Sequence, residues 1–206
     1  SVDVKRVKER YSREIGGRVF TAYVVFNIIR SDTRFGNVFV NKLNRQDFPP
    51  ILLEHIREGA MDALTSGPIA GFPVTGVKVE FVHCEFDPDN INPLVYKVAA
   101  TTAVSQGVTQ AQPQLLEPIM DIEILTPEEF LGEVVSNLNK KNAHIYETDQ
   151  LANAKIIRAY VPLREMFNYT TELRSLTQGR GSYNMEFFRY EVVPEKVSNL
   201  LLKKEY

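Results

Sequence analysis

Few side chains in this sequence have the type and spacing to do chemistry. His83-Cys84-Glu85 has the H-x-E form of a zinc deaminase, but that chemistry also needs P-C-x-x-C, and Cys84 is the sole cysteine. The three histidines, His55, His83 and His144, are too scattered for a metal set. Asp87-Pro88-Asp89-Asn90 opens like a calcium loop. It then places Asn92 where glycine is needed and Val98 where a bidentate glutamate is needed, so it reads as a turn. Asn41-Lys42-Leu43-Asn44 resembles a guanine-reading N-K-x-D, but it ends on Asn and no nucleotide loop precedes it. Neither G-x-x-x-x-G-K-[ST] nor G-x-S-x-G occurs. The residues argue against catalysis, and no catalytic residue or metal ligand is assigned.

What remains is a pair of loops. Ser12–Arg18 contains Gly16-Gly17, which permit positive φ, together with Arg13 and Arg18. Glu85–Pro93 is polar and acidic. If the strands they follow and precede are neighbours, both loops share one end of a domain. A turn with exposed backbone N–H groups and an arginine can hold phosphate. Ordinary strand ends are the competing reading.

The elements that would position these loops follow from pattern. Val2–Arg10 alternates as a strand, and Arg18–Ser31 is a long strand rich in Val, Ile, Phe and Tyr. Asn37–Leu43 is a shorter strand. Pro49-Pro50 introduces a helix to about Ser66 with Leu52, Ile56, Ala60, Ala63 and Leu64 at helical spacing. Val74–Phe86 is a strand expected to place Val77, Val79, Phe81 and His83 on one face, and Pro93–Ala111 is a helix. A second unit begins with strand Glu117–Leu125. Thr126-Pro127-Glu128-Glu129 then predicts a capping box, with Phe130, Leu131, Val134, Val135 and Leu138 buried by the helix behind it. Strands Ala143–Thr148 and Ala154–Val161 follow. Pro162 is expected to open a helix through Met166, Phe167 and Leu173 that ends at Gly179. Strand Gly181–Val193 and a short helix Glu195–Lys204 close the chain. The second unit thus reads β-α-β-β-α-β, a ferredoxin-like order, and the first is a mixed sheet with two helices. The expected division is 1–116 and 117–206, with no Gly/Ser linker at the joint and hence a stiff pair.

The length fits one large domain or two small ones, and the order of elements makes the chain an α+β protein of two domains. The 206 residues are 44% hydrophobic and 24% charged, as in a globular protein, and no apolar run approaches a membrane span. The start, Ser1-Val2-Asp3-Val4-Lys5, has no apolar signal core. A lone cysteine fits a reducing compartment, so a cytoplasmic location is expected. The net charge of −2 hides an asymmetry: residues 1–45 hold ten basic and four acidic side chains. A basic first segment points to an anionic partner such as RNA, against a solvated strand face as the alternative.

Specific words then carry more than patterns. Gly67–Val74 reads G-P-I-A-G-F-P-V, Leu115–Met120 reads L-L-E-P-I-M, and Thr126–Ile145 reads T-P-E-E-F-L-G-E-V-V-S-N-L-N-K-K-N-A-H-I. Val161–Pro194 contains V-P-L-R-E-M-F-N-Y-T-T-E-L-R-S-L-T-Q-G-R-G-S-Y-N-M-E-F. From about Gly16 to Pro194 the chain resembles the fourth and fifth domains of translation elongation factor G. The resemblance implies a ribosomal-protein-type mixed fold followed by a ferredoxin-like one. It places a GTPase domain, with GTP and magnesium, upstream of these residues. This chain would hold no cofactor of its own. The implied partners are the ribosome (both subunits), ribosomal RNA and the tRNA–mRNA duplex, with no membrane and a monomeric state.

By the same resemblance the fourth domain is an arm whose tip loops enter the decoding region during translocation. Carried over, the first tip loop is Gly16-Gly17-Arg18 and the second falls at Glu85–Asn92, with Asp87, Asp89 and Asn90 as RNA contacts. In the second domain, Leu176–Gly181 is a loop at a helix end, with Arg174, Gln178 and Arg180 as contacts. An exposed helix charge is the competing reading for Arg174. The tips depart from the family pattern. G-G-R-G-Q-Y-G-H is usual where Gly17-Arg18 here runs on into Val19-Phe20-Thr21-Ala22-Tyr23. Asp87 stands where a histidine is usual, and an ionised Asp cannot donate and repels phosphate. Lys140-Lys141-Asn142 replaces an Arg-Arg-Gly-like turn, a mild change because Asn tolerates the left-handed conformation. These departures suggest a divergent paralogue acting in ribosome recycling or in translocation under restricted conditions. A free-standing RNA-binding module and a ribosome-protection protein are the further alternatives.

Overall fold

A computed structural model describes residues 2–31, 36–43 and 48–203, and the chain divides into two compact units, 1–114 and 115–206. Asn44, the last residue of the N-K-x-D-like run, and Lys204, the expected end of the last helix, lie outside the described residues. Each unit has its own core.

In the first unit, strands β1 (Val4–Ile15) and β2 (Arg18–Arg30) form one long hairpin. The first strand therefore runs five residues beyond its expected end at Arg10. The expected Ser12–Arg18 turn shrinks to Gly16-Gly17, at φ +61° and +76°. Two consecutive left-handed residues are what a two-residue hairpin turn requires, because that geometry matches the twist of the flanking strands. Strand β3 (Val38–Asn41) and helix α1 (Pro50–Asp62) lead into β4 (Val77–Glu85), which pairs parallel to β3 and antiparallel to β2. Helix α2 (Pro93–Gln110) follows, opened by Asn92, whose side chain accepts from the Leu94 N–H at 3.1 Å. The sheet order is β1-β2-β4-β3.

Both helices pack on one face of that sheet. Gly59 on α1 permits their close crossing, since a Cβ there would lie 2.2 Å from the Lys97 carbonyl oxygen. Phe26, Ile28, Leu52, Ile56, Phe81 and Tyr96 fill the core between. His83 does not share the face of Val79 and Phe81, as its spacing predicts. Val25 faces His83 while Phe26 faces Phe81, so Val82 is an extra residue that reverses the alternation. Beyond this bulge Cys84 is buried and His83 is exposed.

The second unit contains β5 (Leu116–Pro127), α3 (Leu131–Lys140), β6 (His144–Leu151), β7 (Ala154–Pro162), α4 (Tyr169–Leu176), β8 (Ser182–Val192) and α5 (Glu195–Lys203). The order β6-β7-β5-β8, antiparallel throughout, is the ferredoxin-like arrangement. Two helix starts differ from expectation. Thr126 is fully buried at the end of β5, and its hydroxyl donates to the Pro127 carbonyl at 3.4 Å, so no capping box forms. A 3-10 turn, Glu128–Phe130, leads into α3 instead. Pro162 ends β7 rather than opening a helix. The chain passes through a second 3-10 turn, Leu163–Glu165, and a left-handed Asn168 before α4 begins. Phe167 is 73% exposed as a result.

Candidate nucleic-acid interface

The hairpin turn of β1–β2 and the loop after β4 meet at one end of the first unit. Tyr23 on β2 faces Glu85 on β4, so the chain entering each loop is already side by side. Past that pair, the Arg18 Nη2 donates to the Asp89 carbonyl oxygen at 2.8 Å, and the Asn90 Nδ2 donates to the Val19 carbonyl oxygen at 2.9 Å. Tyr96, on the first turn of α2, lies beneath. Its hydroxyl can donate to the carbonyl oxygen of Thr21 (3.4 Å) or of Glu85 (3.3 Å). Burial, with the nearby Cys84 and Asp87, pushes the Tyr96 phenol up to about 12, so it remains a neutral donor at ordinary pH.

The second loop is itself a turn. The Asp87 carboxylate accepts from the Asp89 N–H, and the Asp87 carbonyl accepts from the Asn90 N–H, both at 3.0 Å. Gly16, Gly17, Arg18, Asp87 and Asp89 are exposed, and Asn90 is half-buried. The two loops thus present the Arg18 guanidinium, the Asp87 and Asp89 carboxylates and an exposed glycine turn, with Arg13 and Glu14 exposed on the adjoining end of β1. The Arg18 guanidinium also lies 5.8 Å from the Phe20 ring centre. Its hydrogen-bond partner is a neutral carbonyl, so its charge is not cancelled by that bond.

Nearby on the open face of the first sheet, Arg10 pairs with Glu85 at 3.0 Å and lies 4.6 Å from the Tyr23 ring. The sequence pattern does not mark Arg10 as a member of this site. The signal available was the cation-rich alternation of β1, which says nothing of the cross-strand partner.

The second unit's loop differs. Thr177, fully buried, holds it: its hydroxyl donates to the Leu173 carbonyl at 2.7 Å and accepts from the Gly181 N–H at 2.8 Å. Gln178 and Gly179 are left-handed, at φ +49° and +79°, and the Gly179 N–H returns to the Arg174 carbonyl. Arg174 is exposed at the end of α4 and has no side-chain partner among the described residues. Gln178 is also exposed. Arg180 instead pairs with Glu129, and its guanidinium lies 4.8 Å from the Phe130 ring. The three residues share one loop, but only Arg174 and Gln178 present uncommitted side chains. Asn142 takes the left-handed conformation, φ +55°, in its turn.

The open face of the second sheet carries an aromatic row. Tyr146 and Phe188 are extra residues in their ladders, and with Tyr160 they stack at 4.6 and 4.3 Å between ring centres. Tyr160 thus has a ring on each face, and the Arg189 guanidinium lies 4.7 Å from the Phe188 ring centre.

Among the described residues, no group of three or more His, Cys, Asp or Glu could hold a metal ion.

The chain is an α+β protein of two units, a mixed sheet covered by two helices and then a ferredoxin-like unit. Matches to known proteins identify the family. Residues 1–112 match the family described as elongation factor G, domain IV, and residues 114–201 match elongation factor G C-terminus. The chain belongs to the elongation factor G family. A crystal structure of a protein from Thermus thermophilus is similar over 98% of this chain, with a TM-score of 0.86 and 28% identity. This chain spans 30% of that longer chain.

Proposed function

We propose that this chain is the ribosome-binding C-terminal part of an elongation factor G-like translational GTPase acting in tRNA–mRNA translocation in the cytoplasm. One observation carries the reading: two polar loops, about 70 residues apart in sequence, are tied together at one end of a domain IV fold. An arm that keeps a displaced codon–anticodon duplex from slipping back must be stiff and must offer donors to a minor groove and to phosphates. The long hairpin supplies the stiffness, and Gly16, Gly17 and Arg18 supply the donors. Arg174 and Gln178 are the second unit's contacts to ribosomal RNA. GTP hydrolysis, with magnesium, belongs to a segment outside these 206 residues. No described helix is long and apolar enough to cross a membrane.

A specialised role in recycling, protection or restricted translocation is favoured by the exposed Asp87 and Asp89 carboxylates, which repel phosphate where a donor would attract it. The test is a reconstituted translocation assay with a longer protein containing this chain. Translocation at the rate of an ordinary elongation factor G removes the case for specialisation. Absence of ribosome binding removes the main reading.

A further inference from the structure

We infer that the two tip loops form one preorganised body, and that Arg18 and Asn90 are the positioning residues that join them. The inference rests on the tip being the working end proposed above. The two struts run in opposite directions. Arg18, at the hairpin turn, reaches to the Asp89 carbonyl, and Asn90, in the second loop, reaches back to the Val19 carbonyl. Each loop donates a side chain and accepts on its backbone, so neither can complete the pair alone.

Chemistry fixes how the Asn90 amide is turned. Only its nitrogen can face a carbonyl oxygen, and Oδ1 is left buried with no hydrogen-bond partner. An unsatisfied buried acceptor is unfavourable in itself, so the gain at Nδ2 is what holds the side chain in place. The Asx turn at Asp87 orders the second loop, and the buried Tyr96 hydroxyl lies within reach of the Thr21 and Glu85 carbonyls on the two strands beside it. Arg18 therefore acts first on its neighbouring loop. Its remaining N–H groups and the Gly16-Gly17 backbone are held at fixed spacing for an anionic partner, which lowers the ordering cost of binding.

Backbone amide hydrogen exchange on the 206-residue chain tests this. Asn90→Ala should raise exchange about threefold to tenfold at Arg18, Val19 and Phe20, the loop it does not belong to. Arg18→Ala should do the same at Asp89 and Asn90. The buried amides of β2 and β4 should keep their protection in both. Asn90→Asp, isosteric but lacking the donor, should behave as Asn90→Ala does. A change confined to the substituted loop, no change, protection retained in Asn90→Asp, or loss of protection throughout the sheet would each overturn the proposal. Exchange needs no ribosome, so such a failure leaves the translocation reading standing. Conversely, a longer protein that does not bind ribosomes would sink that reading, while the exchange pattern would leave the joined tip intact.

Discussion

The tip of the first unit and the loop of the second unit both carry arginines at glycine-containing turns, yet they use them differently. Arg18 bonds a neutral carbonyl, which leaves its charge uncancelled by that bond. Arg180 faces the Glu129 carboxylate and stacks on Phe130, so most of its field is cancelled at home. Arg174, near the end of α4, is the free cation of that loop among the described residues. An arginine beside a glycine-containing turn is therefore not yet a phosphate contact; the partner it finds across the fold decides.

The largest effect that would sharpen this contrast is a separation of the two units' stabilities. Gly59→Ala forces a methyl group against the Lys97 backbone, at a cost of about 3 kcal/mol or more. Thermal unfolding should then show the first unit melting earlier while the second is unmoved. A single shifted transition would break the picture of two independent cores.

Next is charge reversal at the tip. Arg18→Glu in the longer protein should weaken ribosome binding about tenfold or more by repelling phosphate. Because Arg18 is exposed, the melting temperature should change little. An Arg18→Glu chain that unfolds would make Arg18 a structural residue and end its assignment to the tip's work.

Acid should act on both units through different carboxylates. The Lys141 ammonium, 2.7 Å from Glu172, holds that carboxyl below its ordinary value, with a further hydrogen bond from Asn137. In the first unit a hydrogen bond from Asn27 does the same for Glu80, aided by the charges of Lys78 and Lys42. A carboxyl whose folded value is depressed contributes stability above its unfolded value. That contribution disappears as pH falls through the folded value. Both units should therefore lose stability below the ordinary carboxylate range. Glu172→Gln should flatten the acid limb of the second unit only, and Glu80→Gln that of the first only, as read by urea unfolding across pH.

The smallest effects separate the two arginines of the second loop. Arg180→Ala should lower stability by under about 1 kcal/mol, as an exposed pair does, and leave ribosome binding nearly unchanged. Arg174→Ala should leave stability alone and weaken binding. The reverse pattern would break the distinction drawn between them.

Much of the architecture was legible because period and punctuation are local. The run of Val, Ile, Phe and Tyr in Arg18–Ser31 and the prolines at the starts of α1 and α2 reach their effect within a few residues. The misreadings arise where a neighbouring element overrides that local signal. Thr126 has the sequence of a cap, but its strand continues through Pro127 because β7 runs on beside it, and the hydroxyl is buried. His83 has the spacing of a core-facing residue, but a bulge against β2 at Val82 turns it outward. Pro162 has the look of a helix start, yet β5 holds it as the end of β7.

The candidate site divides along the same line. By itself the sequence determined which side chains exist near each turn, that Gly16-Gly17 permits positive φ in a turn, and that neither G-x-x-x-x-G-K-[ST] nor G-x-S-x-G occurs. Those properties depend on residue type and short spacing. Only the tertiary structure decided that residues about 70 positions apart share a tip, that Asn90 and Tyr96 brace it, and that Glu129 neutralises Arg180. Hydrogen bonds and ion pairs act over about 3 Å, and which distant groups come within that reach is settled by the packing of the whole sheet and its helices.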